Sequence, residues 1–180
     1  IKPQLRSLSI FRFGTCGSLQ AHIPVDSFVA GSHGLGFDNV MHYYSEQCTK
    51  EETQMIDAFI AHTGLKGNVT PYIFTGSNEL LQHFSKGFYQ GITVGCPGFY
   101  GPQGRVLRLG LAYPGLIEKL TDFRFGNTFI SNFEMETSAI YGLGRALRHR
   151  CLSLNVIVAN RVLKQFSKDG AAAVENLIKA

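Results

Sequence analysis

Ser131-Asn132-Phe133-Glu134-Met135-Glu136-Thr137 runs directly into residues 138–159, SAIYGLGRALRHRCLSLNVIVA, and the order of patterns here decides the fold. Two carboxylates two residues apart stand just before an amphipathic segment. From Glu136 to Arg148 the apolar residues Ala139, Ile140, Leu143, Ala146 and Leu147 recur at helical spacing. Leu152 to Ala159 then reads as a strand rich in β-branched residues. A helix feeding such a strand is a unit of an α/β fold.

The same alternation extends upstream. Leu8 to Phe13 reads as a strand punctuated by the turn Gly14-Thr15-Cys16-Gly17-Ser18, and Val25 to Ala30, introduced by Pro24, as a second. Thr49 predicts an N-cap for a helix reaching His62, with Glu51 and Glu52 in its first turn and Met55, Ile56 and Phe59 on one face. Val69 to Phe74 reads as a short strand, Ser77 caps a helix through about Phe84, and Gly91 to Cys96 has the character of a buried strand. Asp169 caps a closing helix with Val174, Leu177 and Ile178 inward. Strands separated by helices predict an α/β domain with a largely parallel or mixed sheet, a single domain over residues 1–180.

Composition narrows the function classes. A chain of 180 residues, 44% hydrophobic and 17% charged, can bury one sizeable core. Its 17 basic and 13 acidic residues leave a dispersed excess of +4, without the Lys/Arg stripe that binds nucleic acid. Cys16, Cys48, Cys96 and Cys151 are far apart and form no CxxC pair, which predicts reduced thiols in a cytoplasmic protein. No apolar run reaches the ~20 residues of a membrane span, and Ile1-Lys2-Pro3 does not read as a targeting segment. His22, His33 and His42 lack ligand spacing, so no metal site is expected. Ser18, Ser45 and Ser138 lack a nucleophile elbow.

Three stretches carry chemistry. Gly14-Thr15-Cys16-Gly17 follows a strand containing Arg12, so backbone N–H groups, a hydroxyl and a guanidinium could meet an anion; an ordinary turn is the plain alternative, and no Walker A Lys follows. In Phe99-Tyr100-Gly101-Pro102-Gln103-Gly104-Arg105, an aromatic face, an amide and a guanidinium can hold a heterocycle flat and read its edge, against the alternative of a solvated loop. Glu134 and Glu136 can accept hydrogen bonds from vicinal sugar hydroxyls. Surface exposure is the commoner fate of Glu, but Phe129, Ile130, Phe133 and Met135 around them argue for a built site. Sugar and base together point to a nucleoside.

Taken in order, Arg12 to Ser18, Phe99 to Arg105, Asn132 to Glu136 and Val156 to Arg161 resemble the nucleoside phosphorylase family that includes purine nucleoside and uridine phosphorylases, with uridine phosphorylases the nearer group. The resemblance implies a three-layer α/β/α fold around a central mixed, largely parallel twisted sheet. It implies reversible phosphorolysis of uridine to uracil and ribose 1-phosphate, with inorganic phosphate as co-substrate and no cofactor or metal. Arg12 and Thr15 match phosphate ligands, Phe99 the aromatic on the base, and Gln103 and Arg105 the pair that reads uracil. Glu134, Met135 and Glu136 match the ribose segment, and Ile157 and Val158 would line the base pocket. Arg105, Glu136 and Arg12 are thus the expected catalytic groups. Asn160-Arg161 replaces the Asp of purine enzymes, which favours a pyrimidine. Partners implied are a nucleoside, phosphate and a second copy of the chain, as dimer or hexamer; nucleic acid and membrane are not expected. Roughly the first third of the family pattern has no counterpart, so the chain is expected to be N-terminally truncated and to leave a sheet edge open. Two alternatives follow: a truncated homologue that binds nucleoside or joins a full-length partner without turnover, and a nucleosidase that uses water.

Overall fold

Strands and helices alternate throughout the computed structural model, which describes residues 4–65, 67 and 69–180; Ile1, Lys2 and Pro3 lie outside the described residues. In chain order they are β1 (Ser9–Ser18), β2 (Phe28–Gly36), α1 (Lys50–Thr63), β3 (Tyr72–Thr75), α2 (Asn78–Phe84), β4 (Tyr89–Gly95), α3 (Leu116–Asp122), β5 (Arg124–Phe125), β6 (Thr128–Glu134), α4 (Thr137–Ala146), β7 (Arg150–Asn160), β8 (Gln165–Phe166) and α5 (Gly170–Lys179). The expected mixed α/β architecture is present. Strand order is β3-β2-β4-β6-β1-β7-β8, with β5 paired to β6. The pairs β1–β7, β2–β4 and β4–β6 are parallel, whereas β1–β6 and β2–β3 are antiparallel. Beyond that order, β2 also pairs with β7 from Phe28↔Val156 to Ala30↔Leu154, so twist closes five strands into a ring.

Side-chain alternation places helices on both faces. Ile10 packs with Met41, Tyr72 and Tyr141 under α4, while its neighbour Phe11 packs with Leu152, Leu154 and Leu177 under α5. A third cluster joins Met55 and Phe59 of α1 to Leu120 of α3 and to Ile92, Val94, Ile130 and Phe133 of the sheet. Among the described residues, no helix is long and apolar enough to cross a membrane.

Local chemistry explains the helix starts. Thr49 and Glu52 form a reciprocal capping box, Ser77 accepts from Leu80 N, and Asp169 accepts from Ala172 N. Glu52 does more than cap: it receives the Thr75 hydroxyl and N–H and a bidentate fork from Arg145, so one carboxylate ties α1, β3 and α4 together.

Three expectations change. Gly14 to Ser18 is not a turn but the second half of β1, because its register with β7 continues through a bulge at Cys16/Gly17 to Ser18↔Asn160. On α4 the buried face carries Thr137, Ser138, Tyr141, Gly142 and Gly144, and Leu147 is exposed. At its start the helix lies so close to the sheet that the small residues Thr137 and Ser138 face it, with Tyr141 buried beyond them and Ile140 and Leu143 only partly buried. At Gly34 a Cβ would fall 2.8 Å from Ser138 Cα. Ile178 of α5 also faces solvent, with Ala173 and Leu177 buried instead. Finally, β6 meets β1 at Gly17 and Ser18, so among the described residues Ser9 to Cys16 have a strand partner, β7, on one edge only.

Burial pushes the Glu52 carboxyl up, but the hydrogen bonds from Arg145, Thr49 and Thr75 outweigh it and hold the pKa at about 2. The ionised form is therefore favoured on folding. Its contribution is complete above the ordinary value of 4.5 and is lost as pH falls toward 2. Denaturant titrations from pH 7 down to pH 2 should show stability falling along this limb. In Glu52→Gln stability at pH 7 should be lower and the limb flatter; an unchanged acid limb would place the titration elsewhere.

Candidate active site

Arg12, midway along β1, reaches the C-terminal end of β6. Gly14 leaves it room, for a Cβ there would fall 2.3 Å from Arg12 Nη1. Nη1 donates to Asn155 Oδ1 on β7. Nη2 donates to Glu136 Oε2 at 2.5 Å and lies 3.1 Å from Glu134 Oε2. Behind this contact, Asn155 Nδ2 donates to Ser153 Oγ at 3.1 Å, and the Thr137 hydroxyl donates to the same oxygen at 2.8 Å.

The two carboxylates have separate tasks. Glu134 is 4% exposed, and its oxygens accept the N–H groups of Glu136 at 2.9 Å and Thr137 at 3.0 Å. It thereby satisfies amides that the start of α4 leaves unpaired. Glu136 is half exposed beside Arg12, so its carboxylate is the one open to a ligand. Burial pushes the Glu134 carboxyl up to about 7, against Arg12 and the backbone amides, which pull it down. Burial acts the same way on Glu136, but the hydrogen bond from Arg12 prevails and holds it below the carboxylate range.

The other half of the site leaves β4. After Cys96 the chain turns through a 3-10 segment, Gly101–Gln103, closed by Gly104 in the left-handed region at φ 71°. Here Phe99, Gln103 and Arg105 come together. Arg105 Nη1 donates to the Phe99 carbonyl and to Gln103 Oε1 at 2.6 Å, and the guanidinium lies 3.7 Å from the Phe99 ring centroid. Gln103 is buried and Phe99 half exposed. Arg161 donates to the Gln103 carbonyl at 3.4 Å and lies 5.7 Å over the Phe133 ring. Burial, and next the charge of Arg161, lower the pKa of Arg105. Cys96 joins the halves: its N–H donates to the Glu134 carbonyl at 2.8 Å, and its thiol feels both Glu134 and Arg105, burial pushing its pKa up to about 12.

Other expected residues are placed differently. Arg12 and Thr15 are three apart on one strand, so alternation turns their side chains to opposite faces, and Thr15 is exposed. Ile157 is fully buried beside Cys16, Ile23 and Val29, whereas Val158 packs toward α5. The two therefore do not line one pocket, because neighbours on a strand face opposite ways. Met135 stands half exposed between the carboxylates. A cavity of about 1160 Å³ under residues 97–118 is lined by Phe37, Leu65, Tyr113 and Arg105 among others, but by none of Arg12, Glu134 and Glu136. It is a largely apolar chamber behind the loop that carries Phe99, Gln103 and Arg105, distinct from the place where the charges meet. Motif spacing does not disclose Asn155, Ser153 or the Arg161 contact; a lone amide inside an otherwise apolar strand is the signal that points to Asn155.

A family model described as the phosphorylase superfamily matches residues 4–180. A nucleoside phosphorylase of Trypanosoma brucei, whose crystal structure is described as showing uridine phosphorylase activity, shares 29% identity at a TM-score of 0.82, over 94% of this chain and 60% of that one. Isoform 2 of uridine phosphorylase from Schistosoma mansoni is 18% identical with a TM-score of 0.65, over 96% and 56% of the two chains. A uridine phosphorylase of the oomycete Phytophthora capsici is 21% identical with a TM-score of 0.57, over 95% and 61%. The last two share the fold. The chain spans between 56% and 61% of the length of these relatives. No curated protein sequence matches it.

The unequal burial of the two carboxylates is testable by thermal denaturation. Glu134→Gln places an amide donor against the helix amides and Arg12, and should lower stability by ~1–3 kcal/mol. Glu136→Gln should cost less than about 1 kcal/mol. Equal losses in the two variants would remove the distinction drawn between them.

Proposed function

The chain belongs to the phosphorylase superfamily, and from that membership we propose that it is a uridine phosphorylase, converting uridine and inorganic phosphate to uracil and ribose 1-phosphate. One observation carries this reading. Gln103 and Arg105 are locked together over Phe99, while Arg12 and the half-exposed Glu136 stand on the other side of Cys96. The uridine phosphorylase activity described for the T. brucei relative supports the pyrimidine.

In this reading the ring of Phe99 packs on uracil. The Gln103 carboxamide, donor and acceptor at once, pairs with the imide edge. Arg105 bonds a carbonyl oxygen of the base. Glu136 accepts the ribose hydroxyls, Met135 covers the sugar, and Glu134 holds the turn that aims both. Arg12 binds phosphate. A phosphate oxygen then attacks C1′ as the bond from C1′ to the base nitrogen breaks, and the bonding electron pair leaves with uracil. Negative charge grows on the base, where Arg105 meets it, and positive charge on the sugar, where the bound phosphate meets it. Because Arg105 is already held by Gln103 and the Phe99 carbonyl, little reorganisation accompanies the step. No metal or organic cofactor takes part.

Chromatographic detection of uracil released from uridine, with and without phosphate, tests the proposal. Release only with phosphate is the expected result. Release independent of phosphate would make the protein a nucleosidase, and no release from the folded chain would leave a nucleoside-binding protein without turnover. Arg105→Ala should lower kcat/KM for uridine by about 10²–10³-fold, the usual loss on removing one preorganised donor. Turnover within twofold of the unaltered chain would overturn the role of Arg105.

A further inference from the structure

We propose that Asn155 is a positioning residue for the oxyanion site: it holds Arg12 through a neutral acceptor, and the Ser153–Thr137 hydroxyl pair sets the orientation of its amide. The inference rests on the reading of Arg12 as the phosphate ligand. Asn155 is fully buried within β7, between Leu154 and Val156. An amide so placed is unfavourable unless both its ends are bonded. Its nitrogen donates to Ser153 Oγ, so its oxygen must face Arg12 Nη1. Ser153 Oγ also receives the Thr137 hydroxyl, and the Thr137 N–H is bonded to Glu134. The amide is thereby oriented from the same turn that carries Glu136.

Charge explains why the anchor is neutral. Nη2 already faces two carboxylates, Glu134 and Glu136. A third would add more negative charge beside the place an oxyanion would take. Asn155 fixes the plane of Arg12 without adding charge. Among the described residues it leaves the Arg12 Nε–H without a partner, a donor open to an oxyanion.

The test varies phosphate and uridine separately on the full chain, with isothermal titration of inorganic phosphate alone as a second readout and thermal midpoints as a folding control. Asn155→Ala should raise the phosphate KM about tenfold or more, as expected for loss of a hydrogen bond to a charged group, with the uridine KM within about twofold. Ser153→Ala, a milder change, should move the same constant about threefold. Asn155→Asp keeps the hydrogen bond but adds a charge, and should also weaken phosphate; a merely structural anchor would leave phosphate unaffected in that variant. If the unaltered chain turns over no uridine, titration decides: phosphate binding that weakens in both Asn155 variants sustains the positioning role while the proposed reaction fails. Absence of phosphate binding, equal binding in all variants, or a parallel rise in both KM values overturns it.

Discussion

One guanidinium holds three segments of the chain in register. Arg12 leaves β1, is gripped by Asn155 on β7, and closes on the carboxylates at the junction of β6 and α4. Buried charge is tolerated only where it is paired. The cluster is therefore demanding as well as stabilising: each member restricts where the others stand. The Gly14 backbone must pass under the guanidinium, α4 must begin at Thr137, and β7 must present an amide at position 155. The placement of the site follows from these demands.

The two halves of the site meet the problem of buried polar groups differently. Around Arg12, polarity is shared among strands that already hydrogen-bond to one another. In the loop after β4 there is no ladder to rely on, and the loop satisfies itself: Arg105 bonds the carbonyl of Phe99 and the side chain of Gln103 and lies on an aromatic face. Such a loop keeps its shape without a ligand. Under the proposed function, a base entering it would meet a loop already ordered, which lowers the entropic cost of binding.

What could be read from the chain divides along the range of the interaction. Thr49 with Glu52, Ser77 and Asp169 announce helix starts because a cap is decided within four residues. The β-branched run of β7 is equally local. Gly14 to Ser18 reads as a turn in isolation, yet it is a strand because β7 lies beside it, a fact held far along the chain. The buried face of α4 departs from its aliphatic stripe for a similar reason: contact with β2 admits only small side chains at its start. In the site, Gln103, Arg105 and Phe99 lie within seven residues and are legible together. Asn155 is not, since its meaning is its register opposite Arg12. Val158 could have been assigned its side by alternation once Ile157 was placed.

The partner that anchors Arg12 lies 143 residues further along the chain, and this has a consequence for synthesis. A ribosome delivers β1 before β7. Until β7 emerges, Arg12 and the apolar flank around Phe11 and Phe13 are present without the strand that pairs with them. The nascent chain carries that unfinished edge meanwhile, and the bond between Arg12 and Asn155 cannot form. Capture of the unpaired β1 by chaperones is the corresponding cellular demand, and the anchoring of Arg12 waits on β7.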